Sequence, residues 1–157
     1  MKKLLPMLLL LLIAASAMAQ AKAAVETPTA PADFASKLKA TITHYLGRPY
    51  VWGSSGLKSF DCSGFLWRVM WENGILTKRT TARKFYMMLP PIEESSESSK
   101  WKFGTVVFFN DLEHVGIVAS PTTFYHAATS KGTSMAQFDP LWRGKIYGFR
   151  SLPAIDK

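Results

Sequence analysis

The chain has 157 residues, one cysteine and a formal net charge of +8 at neutral pH. That length suits one domain with room for a real core. A lone cysteine excludes an internal disulfide framework, and the sequence holds no run of five or more Lys/Arg of the kind that marks a nucleic-acid tail.

The start of the chain points to export. Met1-Lys2-Lys3 is basic, Leu4 to Ala15 is almost wholly apolar around Pro6, and Ala17-Met18-Ala19 has small residues at both outer positions. These are the parts of a secretory signal peptide, with cleavage expected after Ala19. The apolar stretch is shorter than the roughly 20 residues of a spanning helix, so no stable membrane insertion is expected after cleavage. An uncleaved anchor is the alternative. Loss of Lys2 and Lys3 lowers the charge from +8 to +6. The remainder is still basic and suits anionic lipid or acidic wall polymer; export makes nucleic acid the least suitable partner.

Residues 20–32 are rich in Ala, Pro and Thr and read as a linker. A catalytic-sized domain is expected over 33–152, with 153–157 as a tail. Phe34, Leu38, Ile42, Tyr45 and Leu46 recur at helical spacing and predict a helix from Asp33 to Leu46, capped by Asp33 and stopped by Gly47. A loop with Pro49, Gly53, Ser54, Ser55 and Gly56 follows. Cys62, Phe65, Leu66, Val69 and Met70 then form one apolar stripe, closed by Asn73-Gly74. A third helix is expected over Thr81 to Met88, and Pro90 to Lys100 reads as a polar surface loop. Beyond it come five short segments rich in Val, Ile, Phe and Tyr: Thr105 to Asn110, His114 to Ala119, Phe124 to Ala128, Ser134 to Phe138 and Ile146 to Arg150. Helices first and strands second predict an α+β fold with an antiparallel sheet.

The chemistry centres on Cys62. An unpaired cysteine in an exported chain is either a working thiol or a small buried hydrophobe. Its stripe places it in the first turn of a helix, where unpaired N–H groups and the helix dipole favour a thiolate. A cysteine hydrolase also needs a base and a group to orient it. His44 lies among polar neighbours on the first helix and reads as a surface residue. His114 and His126 stand at strand edges. A hairpin symmetric about Ser120 places them opposite each other, within reach of one another. His114 is then the base and His126 its orienting partner; the alternative is that either is structural.

These residues carry a resemblance. Gly47-Arg48-Pro49-Tyr50-Val51-Trp52-Gly53, Phe60-Asp61-Cys62-Ser63-Gly64-Phe65, Gly74-Ile75 with Arg79-Thr80-Thr81-Ala82, Gly104 to Phe109 leading to His114-Val115-Gly116-Ile117, and Tyr125-His126-Ala127-Ala128 follow in order. Over about residues 36–150 the chain resembles the NlpC/P60 family of cell-wall cysteine peptidases. The resemblance implies a papain-like α+β fold, with N-terminal helices packed on a five- to six-stranded antiparallel sheet. It implies Cys62 as nucleophile, His114 as base and His126 as polar third member. Tyr50, Asp61 and Ser63 stand where relatives contact substrate, while Asp61 equally reads as a helix cap and Ser63 as a first-turn residue. Arg79 and Thr81 are further candidates for the cleft wall. Thr105 and Ser54 depart from the family's usual Asp and Gly.

The implied reaction is hydrolysis of a peptidoglycan stem, at the D-γ-glutamyl bond to a diamino acid, through a thioester. It calls for no metal or cofactor. A monomer in the periplasm or outside the cell is expected, with peptidoglycan or a muropeptide as its partner. Alternatives are an amidase, an acyltransferase or an antibacterial effector on the same fold, or a catalytically inactive wall-binding module.

Overall fold

The structure, a computed structural model, describes residues 31–92 and 97–153. The predicted signal peptide, most of the linker, residues 93–96 of the polar loop and the end of the tail lie outside the described residues. Among those described, no helix is long and apolar enough to cross a membrane.

Helix α1 spans Pro31–His44 and begins two residues before the expected start. Proline suits the first helical position because its missing N–H has no intrahelical acceptor there. Asp33 therefore lies inside the first turn, where its charge favours the dipole, and it pairs with Lys37 at 3.3 Å. The helix tightens at its end through Tyr45 N–H to Ile42 and Leu46 N–H to Thr43, and Gly47 takes a φ of +78° to leave it. Helix α2 spans Cys62–Glu72, capped by Asp61 and closed at Asn73-Gly74 as its sequence predicts. Helix α3 spans Ala82–Met88 behind Thr81. The expected polar loop holds a short helix, α4, over Glu97–Lys100, steadied by a 2.7 Å Glu97–Lys100 pair.

Five strands follow: β1 (Val106–Phe109), β2 (His114–Ser120), β3 (Thr123–Ala128), β4 (Gly132–Gln137) and β5 (Ile146–Arg150). They form one antiparallel sheet in the order β4-β3-β2-β1-β5. Between β4 and β5 stands an unexpected helical turn, α5, over Pro140–Arg143. The fold is the predicted α+β arrangement.

Both faces of the sheet are covered. Val106, Phe108, Val115, Ile117, Tyr125 and Ala127 pack against Leu38, Ile42, Phe65, Leu66 and Phe85 of the helices. Val107, Phe109, Val118 and Phe124 face the other way and pack with Phe138, beneath Trp101 and Trp142. This explains why β1 is an unbroken apolar run: its alternate side chains enter two different cores.

Gly64 shows how tightly α2 is seated. A Cβ there would lie 2.0 Å from the Ser54 carbonyl oxygen, a backbone atom with no rotamer to move. Alanine in place of a helical glycine would otherwise gain about 1 kcal/mol. Overpacking against backbone outweighs that gain. We expect Gly64→Ala to lose about 1–3 kcal/mol in urea unfolding; a stabilised variant would mean that α2 is not pressed against the 53–55 loop.

Candidate active site

The site forms where the first turn of α2 meets the start of β2. Asp61 fixes that turn. Its Oδ1 accepts the Gly64 N–H at 2.6 Å and the Ser63 hydroxyl at 3.0 Å. Its Oδ2 accepts the Gly53 N–H at 2.8 Å, and Arg79 Nη2 spans both oxygens at 2.7 and 2.6 Å. Arg79 Nη1 also reaches the Ser63 hydroxyl at 3.1 Å. Asp61, Ser63 and Arg79 thus form one network, and the Asp61 carboxylate is fully engaged within the protein. Tyr50 stands beside it. Burial pushes its phenol above its ordinary value, and the Cys62 and Asp61 charges add to that push, so Tyr50 is within electrostatic reach of both. Thr81 stands apart: its hydroxyl accepts the Lys84 N–H at the start of α3.

Cys62 is 7% exposed. Its thiol donates to the Glu113 carbonyl at 3.8 Å, one residue before His114, rather than to an imidazole. Burial pushes its pKa up, and the Asp61 charge pushes the same way. The backbone N–H groups of Val115 and Ser63 and the Arg79 cation pull it down without prevailing. Burial and the Asp61 charge thus work against the thiolate that the helix start was expected to favour.

His114 and His126 are brought together, in a different register from the one expected. His126 lies opposite Gly116, not His114, because β2 and β3 turn through Pro121-Thr122 with an irregularity between Val118 and Ser120. The offset is two residues, which preserves the face. The two rings are diagonal neighbours, and His114 Nε2 lies 2.9 Å from His126 Nδ1. Burial first, then His126 and Lys145, lowers the His114 pKa to about 3; burial and then Lys131 lower that of His126 to about 4. Both rings are neutral near pH 7, so one proton lies between the facing nitrogens. With that proton on His114 Nε2, its Nδ1 keeps a lone pair and can accept a proton.

Two departures from the family's usual residues have local partners. The Ser54 hydroxyl donates to the Ser59 carbonyl at 2.8 Å, and the buried Thr105 hydroxyl donates to that of Ser99 at 3.2 Å. Sequence reasoning missed Trp142, whose ring stands 5.5 Å from His114 and 5.2 Å from His126. Asp139-Pro140 before it and Gly144 after it were legible start and stop signals for α5.

A raised thiol pKa has a measurable consequence. The thiolate fraction at neutral pH falls below that of an unhindered thiol. Iodoacetamide labelling of Cys62 should be slow at pH 7 and climb only on the alkaline side of a free cysteine's midpoint. A labelling rate already at its plateau near pH 6 would mean a preformed thiolate–imidazolium pair.

Comparison with known proteins bears on the family and the fold. The NlpC/P60 family model matches residues 47–151. "Probable peptidoglycan endopeptidase LytE" of Bacillus subtilis is 27% identical over 117 residues, covering 72% of this chain and 33% of its own length. "Murein DD-endopeptidase MepS/Murein LD-carboxypeptidase" of Escherichia coli is 30% identical over 116 residues, covering 71% of this chain and 59% of its own. The chain thus spans a third to three fifths of these relatives. The solved structure of a lipoprotein-like NLP/P60 family protein from Staphylococcus aureus superposes with a TM-score of 0.64 at 27% identity, covering 80% of this chain and 44% of that one. The chain belongs to the NlpC/P60 family.

Proposed function

We propose that the protein is an exported cysteine peptidase that hydrolyses the stem peptides of peptidoglycan. The observation that carries this reading is the juxtaposition of Cys62, at the start of α2, with the backbone of β2 beside the neutral His114–His126 pair. The peptidoglycan and murein endopeptidase names of its relatives support the substrate class.

Catalysis starts from thiol and imidazole. The Cys62 S–H leaves the Glu113 carbonyl and gives its proton to His114 Nδ1. The thiolate attacks the amide carbon, and the carbonyl oxygen becomes an oxyanion. The Cys62 backbone N–H lies in the first helical turn, has no intrahelical acceptor, and is the natural donor to it. Imidazolium His114 donates through Nε2 to His126, which steadies the charge without itself being charged. The proton on Nδ1 then passes to the leaving amine as the C–N bond breaks. Water, deprotonated by His114, splits the thioester and frees Cys62. Tyr50, Asp61, Ser63 and Arg79 would flank the stem, with Asp61 acting mainly through the turn that it holds. Thr81 lies further out on the cleft wall.

The bond is the D-γ-glutamyl link to a diamino acid, as the family resemblance implies. The E. coli relative's name favours a second reading, the DD cross-link or an LD-carboxypeptidase bond. Defined muropeptides resolve these by product mass. The parent should split the stem after D-glutamate, and Cys62→Ala should lower the rate by at least about 10³-fold. Undiminished cleavage by Cys62→Ala would refute the assignment. Free lactyl ends in the products would identify an amidase instead.

A further inference from the structure

Trp142 packs against both imidazoles of the pair, beside Phe124, whose ring lies 4.9 Å from His126, and the strand pattern gives no reason for it. Its ring lies 34° from parallel to His114 and 81° from parallel to His126. It also packs 4.9 Å from Phe109 and 5.1 Å from Phe124, the aromatics beneath the pair. Its support is specific. The Asp139 carboxylate caps α5 by accepting the Trp142 backbone N–H at 2.9 Å. Arg143 Nε donates to the Phe138 carbonyl and its Nη2 to the Pro121 carbonyl, each at 2.9 Å, which ties α5 to the β2–β3 turn. Arg143 also stacks 4.9 Å over Trp101.

We propose that Trp142 is a positioning residue for the His114–His126 pair: its indole, clamped by α5, fixes the planes of both imidazoles and closes them to water. The consequence for catalysis rests on His114 being the base. A ring free to turn about its Cβ–Cγ bond would bring Cδ2 to the place of Nδ1 and Cε1 to that of Nε2, breaking the bond to His126 that fixes the tautomer. The fixed hydrogen bond to His126 opposes that turn, and the indole face removes the space for it.

The charged groups that bear on the pair come from three elements. Lys145, just after α5, has its Nζ 5.6 Å from the Trp142 ring and opposes a charge on His114. Lys131, in the β3–β4 turn, opposes one on His126. Cys62 of α2 meets the Glu113 carbonyl and the Val115 N–H on either side of His114, and Glu113 itself is exposed. Burial is the largest cause holding both imidazoles neutral, so opening the indole roof should let both charge more easily.

Nitrogen-15 spectra of the histidine rings, recorded on the full chain without substrate, test this. In the parent, His114 Nδ1 should show a lone-pair shift that holds as the pH falls to about 5. In Trp142→Ala, both rings should titrate upward by about one pH unit or more, and the two nitrogens of His114 should average. Lys145→Gln should raise the His114 midpoint by less and leave its tautomer fixed. The acid limb of kcat/KM should follow the His114 midpoint in each variant. Unmoved midpoints and an unchanged tautomer in folded Trp142→Ala overturn the proposal. If that variant fails to fold, Trp142→Phe replaces it: a smaller upward shift is expected, and an unmoved midpoint again overturns the proposal. Failure of the hydrolase reading would appear separately, as muropeptides left intact by the parent.

Discussion

The carboxylate of Asp61 joins three stretches of chain at one point. It takes N–H groups from Gly53 in the loop before α2 and from Gly64 in its first turn, and the guanidinium of Arg79 from the segment before α3. Hydrogen bonds to a charged group are worth about 1.5–3 kcal/mol each, and a buried charge without its partner costs several kcal/mol. The Cys62 backbone is held between two of these bonds, so the proposed nucleophile inherits its place from its neighbour. The same bonds press Gly64 against the Ser54 carbonyl, where no larger residue fits.

The second consequence concerns charge. A helix end stabilises a negative group by about 0.3–1 kcal/mol in ordinary settings, less than one pKa unit. Full burial can move a pKa by 3–5 units in the other direction. Cys62 is nearly enclosed and its neighbour is an anion, and both push its thiol pKa up. His114 and His126 are held neutral by the same cause. If the chain is exported, as we propose, a raised thiol pKa also protects Cys62, because the thiolate is the form that oxidises. In the proposed mechanism, histidine as the third group fits as well. A carboxylate in that place would pull a proton onto His114, whereas a neutral imidazole orients the ring and leaves it basic.

Much of this was legible in the sequence. The stripe from Cys62 to Met70, the Asp61 and Asn73-Gly74 caps and the strand starts at His114 and Ile146 are local signals, and the fold keeps them. The pairing of His114 with His126 survived a wrong register because a slip of two residues returns a side chain to the same face. The state of Cys62 was not legible, since it depends on how deeply distant segments bury it. Neither was the roof of Trp142, although Asp139-Pro140 marked the turn that carries it. Arg79 was read as a cleft residue from its place in a motif; its salt bridge to Asp61 joins positions 18 residues apart, beyond the range of any local pattern.

The claim that most of the site depends on is that the Asp61–Arg79 pair seats Cys62. A double-mutant cycle with Asp61→Asn and Arg79→Gln tests it directly, read on unfolding free energy and on the rate of Cys62 labelling. The pair is expected to couple by about 2 kcal/mol or more, with labelling accelerated in each single variant as the first turn of α2 loosens. Additive effects within about 0.5 kcal/mol, with Cys62 labelled at the parent rate throughout, would contradict it.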